Sequence, residues 1–181
     1  KNYPEKYLDV GIAEQNLIGI AAALSSEGHN VFTTTFAPFQ TMRCLEQIKV
    51  NLGYMNQKVC MVGLASGLVL GNLGYTHCCI EDIGVLRSIP NLDIVSRADT
   101  TELAKTILEF YKSKNSMYIR LTGGSNLPLI FDENYKFTLG KSETIIKGED
   151  VALFSTGTML KTAIETAQIL KKSQITAEVI N

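Results

Sequence analysis

Within "GIAEQNLIGIAAAL", Gly11 to Leu24, a run that is otherwise almost wholly apolar carries one carboxylate, Glu14, near its start. A lone acid there either complements the positive end of a helix dipole or does chemistry that needs a carboxyl whose proton affinity burial raises. In "TFAPFQTM", Phe36, Phe39 and Met42 recur at a spacing of three. Taken alone, that spacing is best read as ordinary core packing. The glycine-rich stretch "GLASGLVLGNLGYTHCCIED" then ends in His77, Glu81 and Asp82. A histidine at the end of such a loop is either a satisfied structural group or a functional one. Glu81 and Asp82 suit the first turn of a following helix.

Other chemistries lack their residues. Cys44, Cys60, Cys78 and Cys79 show no C-x-x-C spacing. Adjacent cysteines do not easily share a tetrahedral ion, so no metal ligands are assigned. Reduced thiols in a cytoplasmic protein are the expectation. The 17 Lys and Arg balance 18 Asp and Glu, which leaves no basic field for nucleic acid. The most apolar stretch, Val59 to Gly74, is broken by glycines and falls short of the roughly 20 residues a membrane span needs. No signal or transit pattern is recognised, and phosphate-loop and dinucleotide glycine motifs are missing.

The elements that must position these residues alternate. Strands are expected at Tyr7–Val10, Asn30–Thr35, Lys58–Leu64, Leu92–Ser96 and Met117–Leu121, with helices near Ala13–Glu27, Phe39–Leu52, Asp82–Ser88 and Thr100–Ser113. Gly28 follows the first helix as a C′ residue, and "DTTE", Asp99 to Glu102, has capping-box spacing. This rhythm predicts an α/β domain, a doubly wound, mostly parallel sheet flanked by helices. Three candidate features then sit at strand ends, where open α/β sheets hold ligands.

With 181 residues, 45% of them hydrophobic and 19% charged, the chain can fill one core and begin another. The expected division is a first domain over 1–122, a linker over 123–149 and a partial second α/β domain over 150–181. The linker is read as holding one hairpin, "FTLGKSETII". Beyond it lie an expected strand at Val151–Thr156, a helix at Leu160–Lys172 and a strand at Thr176–Ile180. One strand, one helix and one strand do not close a core, so the segment reads as the opening of a longer domain.

The order G-I-A-E-Q, then T-F-x-x-F, then G-x-T-H-x-x-x-E followed by L-R-S-I-P-N resembles the pyrimidine-binding domain of the transketolase family of thiamine-diphosphate enzymes. The resemblance covers Tyr7 to about Pro128, and the tail from Asp150 is similar to the start of the family's C-terminal domain. It implies the thiamine-diphosphate-binding fold and a transferase that moves a two-carbon or acyl unit between carbonyl compounds. It also implies that Glu14 hydrogen-bonds N1′ of the cofactor's aminopyrimidine and favours the imino tautomer that removes the C2 proton. Phe36, Phe39 and Met42 would line the pyrimidine slot, and His77 would stand beside the reacting carbon.

The pattern also departs from the family. Transketolases carry a histidine and an acid that bind sugar hydroxyls where this chain has Ala65 and Leu73, and a phosphate-binding arginine near Gly123 and Gly124. No Lys or Arg lies between Lys58 and Arg87. The G-D-G motif and asparagine that hold diphosphate and Mg²⁺ are absent, so a partner domain or subunit is expected to supply them in a homodimer or heterotetramer. Two related enzymes stay open as alternatives, a 1-deoxyxylulose-5-phosphate synthase and the β chain of a 2-oxoacid dehydrogenase, as does a non-catalytic partner subunit.

Overall fold

Two apolar strands, β2 (Val59–Leu64) and β4 (Ser116–Arg120), lie side by side at the centre of a parallel sheet. The sheet order is β1-β2-β4-β3, with β1 at Val31–Phe36 and β3 at Leu92–Ser96. A parallel strand covered on both faces has no polar side, and Val59, Cys60, Met61, Met117, Tyr118 and Ile119 are all fully buried. The source is a computed structural model that describes residues 2–123 and 128–181.

Helices cover both faces. Met61 and Tyr118 face a core with Ile18 and Ala22 of α1 (Glu14–Ser26), Ile48, Leu52 and Leu86. Cys60, Met117 and Ile119 face the other way, against Phe110 of α5 (Thr100–Lys112). The doubly wound α/β architecture read from the sequence is therefore present. Each fully buried side chain of this kind contributes about 1.5–3 kcal/mol. Between the strands lie the short helices α2 (Ala37–Gln40), α3 (Leu45–Gln47) and α4 (Asp82–Leu86).

The caps follow the sequence. Gly28, at φ +87°, donates to Ser25 O while His29 donates to Leu24 O, the paired bonds of a Schellman ending. Asp99 Oδ1 accepts from Glu102 N–H at 2.8 Å, and Glu102 Oε2 accepts from Ala98 N–H at 2.6 Å. Asp99 also accepts from Ile130 and Phe131 N–H, so the same cap fastens the connecting segment to the sheet.

Three expectations need correction. Tyr7–Val10 is not a strand. It follows a single 3₁₀ turn, Pro4–Lys6, has no ladder partner among the described residues and exposes Tyr7 and Leu8. Its polar groups are met locally instead, since Asp9 Oδ1 accepts from Gly11 N–H at 2.8 Å and Gly11 turns at φ +70°. The helix expected at Phe39–Leu52 is broken after Gln40 and resumes as α3 and a π-helical stretch, Ile48–Tyr54. Side chains capture the carbonyls at the break, Thr41 Oγ1 donating to Ala37 O and Cys44 Sγ to Phe39 O.

The third correction is the hairpin. Phe137 and Leu139 pack on the cluster around Phe110, while Thr144–Ile146 forms β5 and pairs antiparallel with β7 (Ala177–Ile180). Strand β6 (Val151–Phe154) pairs parallel with β7, giving a sheet ordered β5-β7-β6. Helix α6 (Met159–Lys172) packs Leu160 and Ala167 against Val179, Ala177 and Ala98. Ile145 and Ile146 join that cluster, burial that a free hairpin would not give them. Residues 124–127 of the expected linker, including Gly124, lie outside the described residues. Among the described residues no helix is long and apolar enough to cross a membrane.

Candidate active site

The strand registers bring one edge of the first sheet into line. Phe36 lies opposite Leu64, and both Gly63 and Ser96 lie opposite Arg120, so the carboxyl ends of all four strands open on the same side. Ligands of open α/β sheets bind there. The chain leaving β1 brings in Phe39 and Arg43, and the chain leaving β2 returns with His77.

Glu14 is the first residue of α1 and its side chain is 11% exposed. Burial pushes its carboxyl up, but Arg43 Nη1 donates to Oε2 at 2.8 Å. That bond, a backbone hydrogen bond at Glu14 itself and the charge of Arg43 together hold the group below the ordinary glutamate range. This reverses the raised proton affinity expected from burial alone. The reason is a cation that the sequence places 29 positions away.

Arg43 serves two neighbours. Its guanidinium carbon lies 3.9 Å from the centroid of the Phe39 ring while Nη1 reaches Glu14. Its carbonyl accepts from Gln15 Nε2 at 3.1 Å, which ties the chain after α2 to the start of α1. Met42 is exposed, so the residue over the face of Phe39 is Arg43.

Phe36, Phe39 and His77 form one aromatic group. Phe36 and Phe39 meet edge to face at 6.1 Å, and His77 meets Phe39 at 5.4 Å and Phe36 at 6.1 Å, each at 69°. His77 Nδ1 lies 3.0 Å from Thr76 Oγ1, which steadies the ring. The structure thus gathers Glu14, Phe36, Phe39 and His77, with Met42 beside them in sequence and open to solvent.

The loop carrying His77 is anchored at its base. Gly67 and Cys79 exchange both backbone hydrogen bonds, at 2.7 and 2.8 Å, and the loop between them contains a short 3₁₀ turn, Gly71–Leu73. Arg120 sits beneath, donating from Nε to Asp82 Oδ2 at 2.8 Å, from Nη1 to Thr122 Oγ1 at 2.9 Å and from Nη2 to Cys79 O at 3.4 Å. Tyr118 donates its hydroxyl to the same Asp82 oxygen. Gly63 permits this, because a Cβ there would come within 2.4 Å of the Tyr118 hydroxyl. Asp82 is fully buried, so it does more than begin α4.

Ala65 starts the loop at φ +51°, and Leu73 is 50% exposed within it. Gly123, at φ +91°, follows β4. Burial pushes the Cys44 thiol up to about 11 and the Cys60 thiol to about 12. Among the described residues no group of three His, Cys, Asp or Glu side chains could hold a metal ion.

Sequence reasoning missed Arg43, Arg120 and the buried face of Asp82. For Arg43 a signal was available, a cation directly after the F-x-x-F-x-x-M run. Nothing local marks the Asp82–Arg120 pair, which joins residues from different elements.

Comparison with known proteins identifies the fold and the family. The family model described as "Transketolase, pyrimidine binding domain" matches residues 1–126, and "Transketolase, C-terminal domain" matches residues 140–181. The chain is 32% identical over 182 residues to one subunit of the apulose-4-phosphate transketolase of Phocaeicola vulgatus, covering 100% of this chain and 58% of that protein. It is 34% identical over 178 residues to a 6-deoxy-6-sulfo-D-fructose transketolase subunit of Clostridium sp., covering 98% of this chain and 55% of that one. A solved split gene transketolase, described as an inactive beta4 tetramer, superposes with a TM-score of 0.89 at 32% identity, over 98% of this chain and 57% of that one. The chain thus spans a little over half the length of these relatives. A transketolase from Campylobacter jejuni, at 20% identity and a TM-score of 0.80 over 96% of this chain and 27% of that one, shares the fold. By this agreement of motif order, sheet topology and matched relatives, the chain belongs to the transketolase family.

Proposed function

We propose that this chain supplies the aminopyrimidine side of the active site in a thiamine-diphosphate-dependent transferase. The observation that carries the reading is the convergence of Glu14, Phe36, Phe39 and His77 on one sheet edge. Flat aromatic faces and a nearly buried carboxyl fit the aminopyrimidine half of the cofactor. The family's G-D-G motif and its following asparagine have no match in this sequence, so Mg²⁺ and diphosphate are assigned to a partner domain or subunit. Relatives named as transketolase subunits, and the split gene transketolase, support such a partner. A homodimer or a heterotetramer would complete the site.

The residues divide the work. Phe36 and Phe39 bind and orient the flat ring and keep water from its face. Glu14 holds a proton against N1′, which a carboxyl in a dry site can share. His77, fixed by Thr76 and the two aromatic rings, donates or accepts a proton at the substrate oxygen. Met42 covers the open side of the slot once the partner docks. Thiamine diphosphate, when bound, supplies the carbon nucleophile and electron sink needed to break and form carbon–carbon bonds.

The reaction class is transfer of a two-carbon or acyl unit between carbonyl compounds, in the carbohydrate metabolism of the cytoplasm. The proposed division is a pyrimidine-binding domain over 1–122, a connecting segment from 123 whose last strand, β5, already belongs to the second sheet, and part of a C-terminal domain over 150–181.

Calorimetric titration tests the division of labour. Thiamine diphosphate with Mg²⁺ should bind the chain mixed with its diphosphate-binding partner and bind the isolated chain weakly, since one half of the ligand has no residues there. Submicromolar binding by the isolated chain would contradict it.

A further inference from the structure

We propose that Arg43 stands in for the aminopyrimidine in the cofactor-free protein, so that the cofactor enters only as Arg43 leaves. The proposal rests on the assignment of Glu14, Phe36 and Phe39 given above. A guanidinium is flat, carries N–H donors on its edge and is weakly hydrated for a cation. Arg43 uses those properties on two partners at once, the face of Phe39 at 3.9 Å and Glu14 Oε2 at 2.8 Å. These are the two surfaces that a flat nitrogen heterocycle bound in this slot would need.

The side chain is free to go. Its backbone is held on both sides, Arg43 N–H donating to Pro38 O at 3.2 Å and its carbonyl accepting from Gln15. The side chain itself is 43% exposed and long enough to turn outward without moving those anchors. The two states of Glu14 also differ. Paired with Arg43, the carboxyl is an anion that accepts from a cation; sharing a proton with a ring nitrogen, it must carry that proton. Release of Arg43 and protonation of Glu14 are therefore one event. Burial also keeps the neighbouring Cys44 thiol neutral, so it adds no competing charge.

The device has a use. A nearly buried carboxylate would be costly without a partner, and a site that is occupied until displaced binds with an affinity lowered by the fraction that is open. Arg43 keeps Glu14 satisfied in the unassembled chain and lets the diphosphate end of the ligand, held by the partner, supply the free energy of displacement.

Two measurements on the same variants test this. Carbon-13 NMR follows the titration of Glu14 in the chain without cofactor, and calorimetry follows thiamine diphosphate with Mg²⁺ binding to the chain assembled with its partner. Arg43→Met should raise the Glu14 midpoint and tighten cofactor binding several-fold to tenfold. Arg43→Lys keeps the charge but loses the flat face. It should leave the midpoint low and bind cofactor with an affinity between those of the parent and Arg43→Met. A folded Arg43→Met assembly that binds cofactor no more tightly than the parent, or more weakly, would overturn the placeholder while leaving the assignment of Glu14 and the rings intact. Failure of parent and variants alike to bind cofactor at millimolar concentration, with the partner present, would overturn that assignment and the placeholder with it.

Discussion

One oxygen of Asp82 receives both the Tyr118 hydroxyl, at 2.9 Å, and Arg120 Nε, at 2.8 Å, where the loop bearing His77 rejoins the sheet. Arg120 then reaches on to Cys79 O and Thr122, so one carboxylate holds the base of the loop and the end of β4 together. A fully buried acid in this position cannot be lost cheaply. Asp82→Ala strands a guanidinium whose side chain is only 16% exposed and should cost about 3–5 kcal/mol. Tyr118→Phe, which removes one hydroxyl from a network that keeps its ion pair, should cost about 1–2 kcal/mol. Urea denaturation of the two variants checks the ranking, and equal costs would mean that the ion pair does not govern the loop.

The Glu14–Arg43 pair gives stability a pH dependence of known sign. The carboxyl is held below its ordinary range in the folded chain, so the pair's contribution is full above the unfolded value of about 4.3 and disappears as pH falls through the folded value. Because Arg43 is half-exposed and screened by solvent, the contribution is about 1 kcal/mol or less. Thermal melts of the parent and Arg43→Met should therefore differ at pH 7 and draw together below about pH 4. A difference that is constant across that range would assign the effect to packing alone.

The sheet was legible because its signals are local. Val59–Met61 and Met117–Ile119 are apolar without alternation, which marks strands covered on both faces, and Gly28 and "DTTE" mark helix ends through residues close in sequence. Tyr7–Val10 misled for the same reason. It has strand-like side chains but no neighbour to pair with, and pairing is not written in a strand's own residues. Ile145 and Ile146 were read as a hairpin arm because the nearest apolar run lay just before them, whereas their partner is Val179 and its neighbours, far along the chain. The candidate residues Glu14, Phe36, Phe39 and His77 were visible as types in an order, and the fold brings their elements to one edge. Their electrostatics were not, since the state of Glu14 is set by Arg43 across a break between helices that pattern reading had taken as continuous.

The substrate loop yields a prediction about specificity. Ala65 and Leu73 present no hydrogen-bonding side chains where the family's sugar contacts would lie, and a site without those partners loses discrimination for the hydroxyls they would bind. The assembled enzyme should therefore use xylulose 5-phosphate weakly as donor even when saturated with cofactor. Steady-state kinetics that give an ordinary turnover with that sugar, on the order of 10 per second, would show that the partner supplies the missing contacts.

Glu14→Gln keeps the size and polarity of the side chain and removes the proton that a carboxyl can share. As a mere partner of the helix dipole, Glu14 could be replaced at a cost of a few tenths to about 1 kcal/mol with activity intact. As the group that holds a proton against N1′, its replacement should slow the reaction by roughly a hundredfold or more with the melting temperature nearly unchanged. Deuterium exchange at the cofactor's C2 carbon, measured by proton NMR in the assembled complex, reads that step without any substrate. Exchange in Glu14→Gln slower than in the parent by about two orders of magnitude is the expected result, and exchange as fast as in the parent would show that another acid, and not Glu14, activates the cofactor.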